Sequence, residues 1–246
     1  MAWKESWQLK LRRRIRKPFN KVFHRHRYFI SHYRGADFLL RPNGIGTLEM
    51  SAKISEYPEL TNFMSRCADL RPDVFLDIGA NIGLYSCILL RNGRVPRAVL
   101  FEPDRTNLVH LRANLLINGV LDRTEVRELA LGDAAGLHHL VPGKIDGGFS
   151  RIATDGGTDD EGYEVQVARL DDVVSLAHRR LAVKIDVENY ECQVLSGMMR
   201  TLRENRCVVQ IEAFETRDRV MSIMAEAGYL LALALSPNFV FENADA

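Results

Sequence analysis

The chain has 246 residues, 46% of them hydrophobic and 26% charged, which suits one sizeable α/β core with a short extension and is too little for two full domains. Its formal net charge of +1 conceals a split: residues 1–34 hold 11 Lys/Arg against one Glu, about +10, and the rest hold 22 against 31 acids, about −9. Four cysteines without a C-x-x-C pair argue against a zinc site and for reduced, buried thiols, and the lack of a roughly 20-residue apolar run or a signal-peptide core points to a soluble, cytoplasmic setting.

Residues 1–35 form a basic amphipathic arm, in which KLRRRIRKPFNKVFHRHRYF interleaves cations with Leu11, Ile15, Phe19, Val22, Phe23 and Phe29 on either side of Pro18. Such an arm suits peripheral contact with anionic lipid, a hold on nucleic acid, or packing of its apolar stripe on the following domain, residues 36–246. An Arg-rich, acid-poor start also resembles an organelle transit sequence. Next, Asp37–Met50 alternates around Asn43-Gly44 and predicts a hairpin acting as a lid, and Tyr57–Leu70 predicts a helix.

Val74–Leu76 reads as a buried strand that ends on Asp77-x-Gly79-x-x-x-Gly83, with Leu84–Leu90 apolar enough for a helix running back along a sheet. This is not the G-x-G-x-x-G of dinucleotide binders, because the turn carries an acid. A carboxylate there repels phosphate and suits an ammonium, such as that of S-adenosylmethionine. The next strand, Ala98–Phe101, also ends on an acid, Glu102, about 20 residues beyond the glycines, where doubly wound folds place a ribose-hydroxyl acceptor. The plain alternative makes Asp77 a helix cap and Glu102 a solvated loop residue.

A helix over 104–118 buries Leu108, Leu111 and Leu115 and stops at Gly119; a strand over Glu125–Leu131 follows and ends at Gly132-Asp133. Residues 142–162 read as a mobile loop whose Phe149, Ser150 and Arg151 reach toward a substrate, and His138 and His139 read as structural. In Val183–Glu188, alternation puts Val183, Ile185 and Val187 on one face and Lys184, Asp186 and Glu188 on the other. Charges inside a parallel sheet are costly, so this face implies ion pairing or a cleft, with Lys184 deep and the two acids at its mouth. Glu212 ends the next strand and is a further candidate for the same acidic rim. A helix over Thr216–Ala227 and strands over Leu230–Leu235 and Phe239–Phe241 complete the chain.

FLDIGANIGLYS at 75–86, FEPDRTNLVHLRANLLING at 101–119, ALGD at 130–133, RLDD at 169–172, VKIDVENYECQVLSGM at 183–198 and QIEAF at 210–214 together resemble the FkbM-type S-adenosylmethionine-dependent methyltransferases. One departure is Asn189, where the family usually has Gly; Asn tolerates the left-handed backbone such a turn needs. The resemblance implies a Rossmann-like α/β fold with a seven-stranded, mostly parallel sheet and a C-terminal antiparallel hairpin. It implies S-adenosylmethionine held by Asp77, Gly79, Asn81, Gly83, Glu102 and Asp133, the last toward the adenine amino group. It also implies O-methylation of a hydroxyl on a small molecule or glycan, sugar or polyketide. For that chemistry the charged face of the strand over Val183–Glu188 offers Asp186 or Glu188 as base, with Glu212 next in line, and the same two acids could hold a divalent metal through their oxygens. Two other readings are an RNA methyltransferase using the basic arm, against which the acidic body argues, and a cofactor-binding scaffold without catalysis, for which Asn189 is the only hint.

Overall fold

The computed structural model describes residues 28–40, 58–143, 150–153 and 162–243. Its strands are β1 (Phe29–Tyr33), β2 (Ala36–Leu40), β3 (Val74–Ile78), β4 (Ala98–Phe101), β5 (Thr124–Arg127), β6 (Ala130–Leu131), β7 (Gly136–Val141), β8 (Arg151–Ile152), β9 (Tyr163–Ala168), β10 (Arg180–Ile185), β11 (Arg206–Glu212), β12 (Tyr229–Leu235) and β13 (Asn238–Asn243). The α-helices are α1 (Pro58–Leu70), α2 (Leu84–Arg91), α3 (Arg105–Ile117), α4 (Leu170–Val173), α5 (Glu191–Ser196), α6 (Met199–Glu204) and α7 (Arg217–Glu226).

The large sheet has the order β12-β13-β11-β10-β3-β4-β5, with five parallel strands and β13 antiparallel to both β11 and β12. This is the expected seven-stranded Rossmann-like sheet with its terminal hairpin. Side-chain alternation gives it two buried faces. Val74, Leu76, Ile78, Val183 and Ile185 pack with α5, α6, α7 and a second sheet of order β6-β9-β7-β8. Phe75, Ala182 and Val208 pack with α1, α2, α3 and β2 on the other side. Helix α3 is capped by Asp104, whose carboxylate accepts from the Thr106 and Asn107 amides at 2.7 and 3.1 Å, and it buries Leu108, Leu111 and Leu115 as expected. All four cysteines are buried thiols, and burial pushes Cys67, Cys87 and Cys207 up to about 12.

One expectation needs correction, and another falls mostly outside the described residues. Of the hairpin expected over Asp37–Met50 only the first residues are described; they belong to β2, which pairs backwards with β1 through Arg34 and Gly35, both at positive φ as a two-residue hairpin turn requires. Strand β2 itself belongs to the core: Ala36, Phe38 and Leu40 are buried, and the Leu39 and Asp37 amides donate to the Asn114 and Asn118 side chains of α3 at 2.8 and 2.9 Å. The folded unit therefore includes β1, which the sequence reading had assigned to the arm. Residues 1–27, the Asn43-Gly44 turn and Phe149 lie outside the described residues. The expected strand over Glu125–Leu131 is split, because the chain leaves the large sheet after Arg127 and Ala130–Leu131 joins β9 in the second sheet.

The RLDD segment is structural. Asp171 is buried and accepts from the Arg200 amide, the Thr201 amide and the Thr201 hydroxyl at 2.9, 2.9 and 2.7 Å, which fixes the start of α6. Asp171→Ala leaves three donors without that partner and is expected to lower the unfolding free energy by about 2–4 kcal/mol. A urea midpoint shifted down at unchanged slope is the check.

Candidate active site

A cleft opens at the carboxyl ends of β3, β4 and β10, where the strand order reverses between β3 and β10 and doubly wound sheets hold their ligands. Its polar lining includes Gly79, Asn81, Glu102, Asn107, Ser150, Asp186 and Glu188, and its apolar lining includes Phe101, Leu131, Leu140, Ile152 and Tyr190. Among the described lining residues three are carboxylates and none is Lys or Arg. Such a donor set fits a cationic ligand rich in hydroxyls and opposes a phosphate.

The turn after β3 holds Gly79, Asn81 and Gly83 at φ 77°, 50° and 81°. A Cβ on Gly79 would sit 1.9 Å from the Asp186 carbonyl oxygen, and one on Gly83 would sit 2.6 Å from Leu111 Cδ1. Both glycines thus answer to contacts within the protein; Gly79 brings two strand ends together and Gly83 seats α2 on α3. The Asn81 amide donates to Glu102 Oε2 at 2.7 Å, while Glu102 Oε1 accepts from the Asp104 amide at 2.9 Å and Asn107 Nδ2 at 3.3 Å. Three donors use three of the carboxylate's roughly four acceptor directions, leaving one on Oε2. Burial pushes Glu102 up to about 7 in spite of those donors.

Asp77 lies beneath this turn and does not line the cleft. It is 2% exposed, its Oδ2 accepts the Ser86 hydroxyl at 2.6 Å, and burial pushes it up to about 6 against the pull of Ser86 and Lys184. In the sheet, Asp77 is in register with Lys184, and Lys184 with Gln210. The Lys184 ammonium lies 2.7 Å from Asp186 Oδ2 and 4.8 Å from the Tyr85 ring centroid. Burial pulls this ammonium down, but Asp186, Tyr85 and Asp77 outweigh it and hold the group above its ordinary value.

Strand β10 stops at Ile185, so alternation does not carry Glu188 onto the face of Lys184. Glu188 reaches the cleft through a left-handed turn, with Glu188 at φ 52° and Asn189 at φ 71°. Asn189 adopts the conformation expected of it in place of Gly. Its amide donates to Glu191 Oε1 at 2.9 Å, and Glu191 Oε2 accepts the Thr216 hydroxyl at 2.5 Å, tying the turn to the start of α7. Burial first, then the charges of Asp186 and Glu191, push Glu188 up to about 7.

Asp133 is exposed and Glu212 ends β11 opposite Asn238; neither lines the cleft. Asp133 acts on the lining indirectly, since burial and its charge raise the Tyr190 phenol. Ser150 does reach the cleft, donating to Asp104 Oδ2 at 2.8 Å and accepting the Gly143 amide at 3.1 Å, whereas Arg151 is exposed. Asn107 and Tyr190 are lining residues that the sequence reading missed; a buried Asn on the first turn of α3, five residues after Glu102, was the available signal for one of them. No group of three or more His, Cys, Asp or Glu among the described residues is placed to hold a metal ion.

Residues 77–231 match the family described as Methyltransferase FkbM domain. A 31-O-demethyl-FK506 methyltransferase, FkbM, of Streptomyces tacrolimicus is 29% identical, across 64% of this chain and 74% of its own. A hexuronic acid methyltransferase, AglP, of Haloferax volcanii is 27% identical, across 63% of this chain and 62% of its own. Among solved structures, a methyltransferase FkbM from Methylobacillus flagellatus KT superposes with a TM-score of 0.52 at 21% identity, covering 70% of this chain and 43% of that one, and supports the fold. The matched part is thus under two thirds of the hexuronic acid enzyme and under half of the crystallised protein.

Ionising Glu102 costs stability, because its folded value of about 7 lies above the ordinary 4.5. The cost is absent below the ordinary value, grows as pH rises and is complete above the folded value, at about 3 kcal/mol. Glu102→Gln carries no charge, so the wild type is expected to lose about 3 kcal/mol relative to it between about pH 4 and pH 8. Urea melts of both proteins across that range test this, and parallel pH curves would contradict the burial of an ionisable Glu102.

Proposed function

The chain belongs to the FkbM methyltransferase family, and on that footing we propose that it moves a methyl group from S-adenosylmethionine to a hydroxyl of a small molecule or glycan. The observation that carries this reading is Glu188, a carboxylate in the cleft, held at φ 52° and pushed to about 7. A non-glycine residue kept in a sparsely populated conformation costs on the order of 1–3 kcal/mol and points to function where it faces a cleft. Acceptors of the sugar or polyketide class are supported by two relatives, one a hexuronic acid methyltransferase and one a 31-O-demethyl-FK506 methyltransferase.

When bound, S-adenosylmethionine supplies a methyl group already activated on a sulfonium. The protein's share is binding, alignment and removal of one proton. Glu102 offers its remaining Oε2 direction to a sugar hydroxyl, and the three lining carboxylates favour the sulfonium and ammonium charges. Asp77 supports the site from below, through Ser86 and Lys184. Glu188 takes the hydroxyl proton of the acceptor as its oxygen becomes nucleophilic; a base near pKa 7 suits that task at neutral pH. Asp186, paired with Lys184, is the weaker candidate for base. Because Lys184 already neutralises Asp186, the step needs no divalent cation, and transfer should persist in the presence of a chelator.

The test is single-turnover transfer to a panel of hexuronic acids and polyketide alcohols. Glu188→Gln is expected to slow transfer by about 10²–10⁴ while lowering cofactor affinity far less. Wild-type rate should rise with pH through about 7, since the base must be ionised, and this limb should vanish in the variant. Glu102→Ala should instead weaken cofactor binding, by about ten- to a hundredfold. Full transfer by Glu188→Gln would remove its assignment, and preferential binding of NAD would overturn the reading altogether.

A further inference from the structure

Helix α3 buries one side on the sheet and leaves an unusual opposite face. Val109, Ala113, Leu116 and Ile117 follow i, i+4, i+7 and i+8, so they form one stripe. Val109 and Leu116 are 65% and 64% exposed, and Leu121 just beyond is 44% exposed. Spacing puts His110 next to this stripe on the side of the β1–β2 hairpin, where the Tyr28 ring packs on it edge-on at 5.6 Å. Tyr28 and Ile30 are themselves 52% and 61% exposed. On the stripe's other border spacing puts Arg105 and Arg112, both exposed, Arg105 lying over the Tyr163 ring and Arg112 paired with Glu128. An apolar stripe edged by arginines is the pattern of a helix that lies in a membrane interface.

The chain leading into Tyr28 supplies the matching charge. Residues 1–27 contain ten Lys/Arg and one Glu. We propose that the outer face of α3 and the adjoining β1–β2 hairpin form the surface on which this protein rests against an anionic membrane, to which the ten cations of residues 1–27 add attraction. Packing of that segment on the stripe would set its cations beside Arg105, whereas anionic headgroups complement the segment and Arg105 alike. Nucleic acid would use the cations but leave the apolar stripe in water. The contact is peripheral, since no helix among the described residues is long and apolar enough to cross a bilayer.

The experiment is co-sedimentation of the full chain with phosphatidylcholine vesicles, with and without phosphatidylserine. The wild type is expected to bind the phosphatidylserine vesicles and to be released by salt. The double variant Val109→Glu, Leu116→Glu is expected to bind them about tenfold or more weakly, with an unchanged melting temperature, because two apolar side chains no longer enter the interface. Val109→Gln with Leu116→Gln, a milder change at exposed positions, should shift binding in the same direction if the glutamates disturb folding. Wild-type affinity in the folded variants would overturn the proposal, as would equal binding to both vesicle types or none to either. Retention of the wild type on RNA in preference to vesicles would also overturn it.

Discussion

A lysine ammonium buried in the middle of the sheet is the constraint around which the site is arranged. Lys184 is 5% exposed on a central strand, where an unpaired charge is prohibitive and the group must find partners or lose its proton. It finds Asp186 at 2.7 Å, Asp77 in register on β3 and the face of Tyr85. Tyr85 is held in turn by Gln210, which donates to its hydroxyl at 2.8 Å and to Asn238 at 2.9 Å. This chain of polar contacts crosses from β3 to β13 beneath the cleft. Such networks contribute less to stability than to uniqueness, because slipping any of these strands by one residue would strand a charge in an apolar layer.

The consequence lies at the end of β10. With Asp186 committed to the ammonium and the Asp186 carbonyl approached closely by Gly79, the backbone has little freedom as it leaves the sheet. It turns through two left-handed residues and is caught by Glu191, which links the Asn189 amide to Thr216. Glu188 is thereby left facing the cleft without the cation that its neighbour has taken. The strain of the turn is sustained by that clamp, in keeping with the way strained residues persist only where their surroundings over-determine them.

Much of this was legible in the sequence, and the limits have physical causes. Period-two alternation revealed the buried strands, the acids at the ends of β3, β4 and β10 marked the cleft, and the spacing of Leu108, Leu111 and Leu115 set the inner face of α3. Alternation failed at Glu188 because it describes strands, and the strand had already ended. The pairing of β1 with β2 was missed because Asn43-Gly44 is the stronger local turn signal, while β2 is held by Asn114 and Asn118, more than 70 residues away. Long-range partners of that kind leave no mark in a local window. The second sheet, which brings Leu140 and Ile152 to the cleft, was hidden for the same reason.

Asp77 shows how much the surroundings of a motif acid matter. An acid at the end of a strand before a glycine turn is expected to anchor a positive group; here it is buried beneath the turn and holds Ser86. The glycines beside it satisfy the protein's own packing before any ligand arrives. Four carboxylates therefore sit within one constellation in four environments: Asp77 sealed under the turn, Asp186 paired with an ammonium, Glu102 saturated but for one acceptor direction, and Glu188 at the mouth of the cleft. Environment rather than residue type separates their proposed roles, since the same carboxyl group supports, neutralises, binds or accepts a proton according to what already holds it.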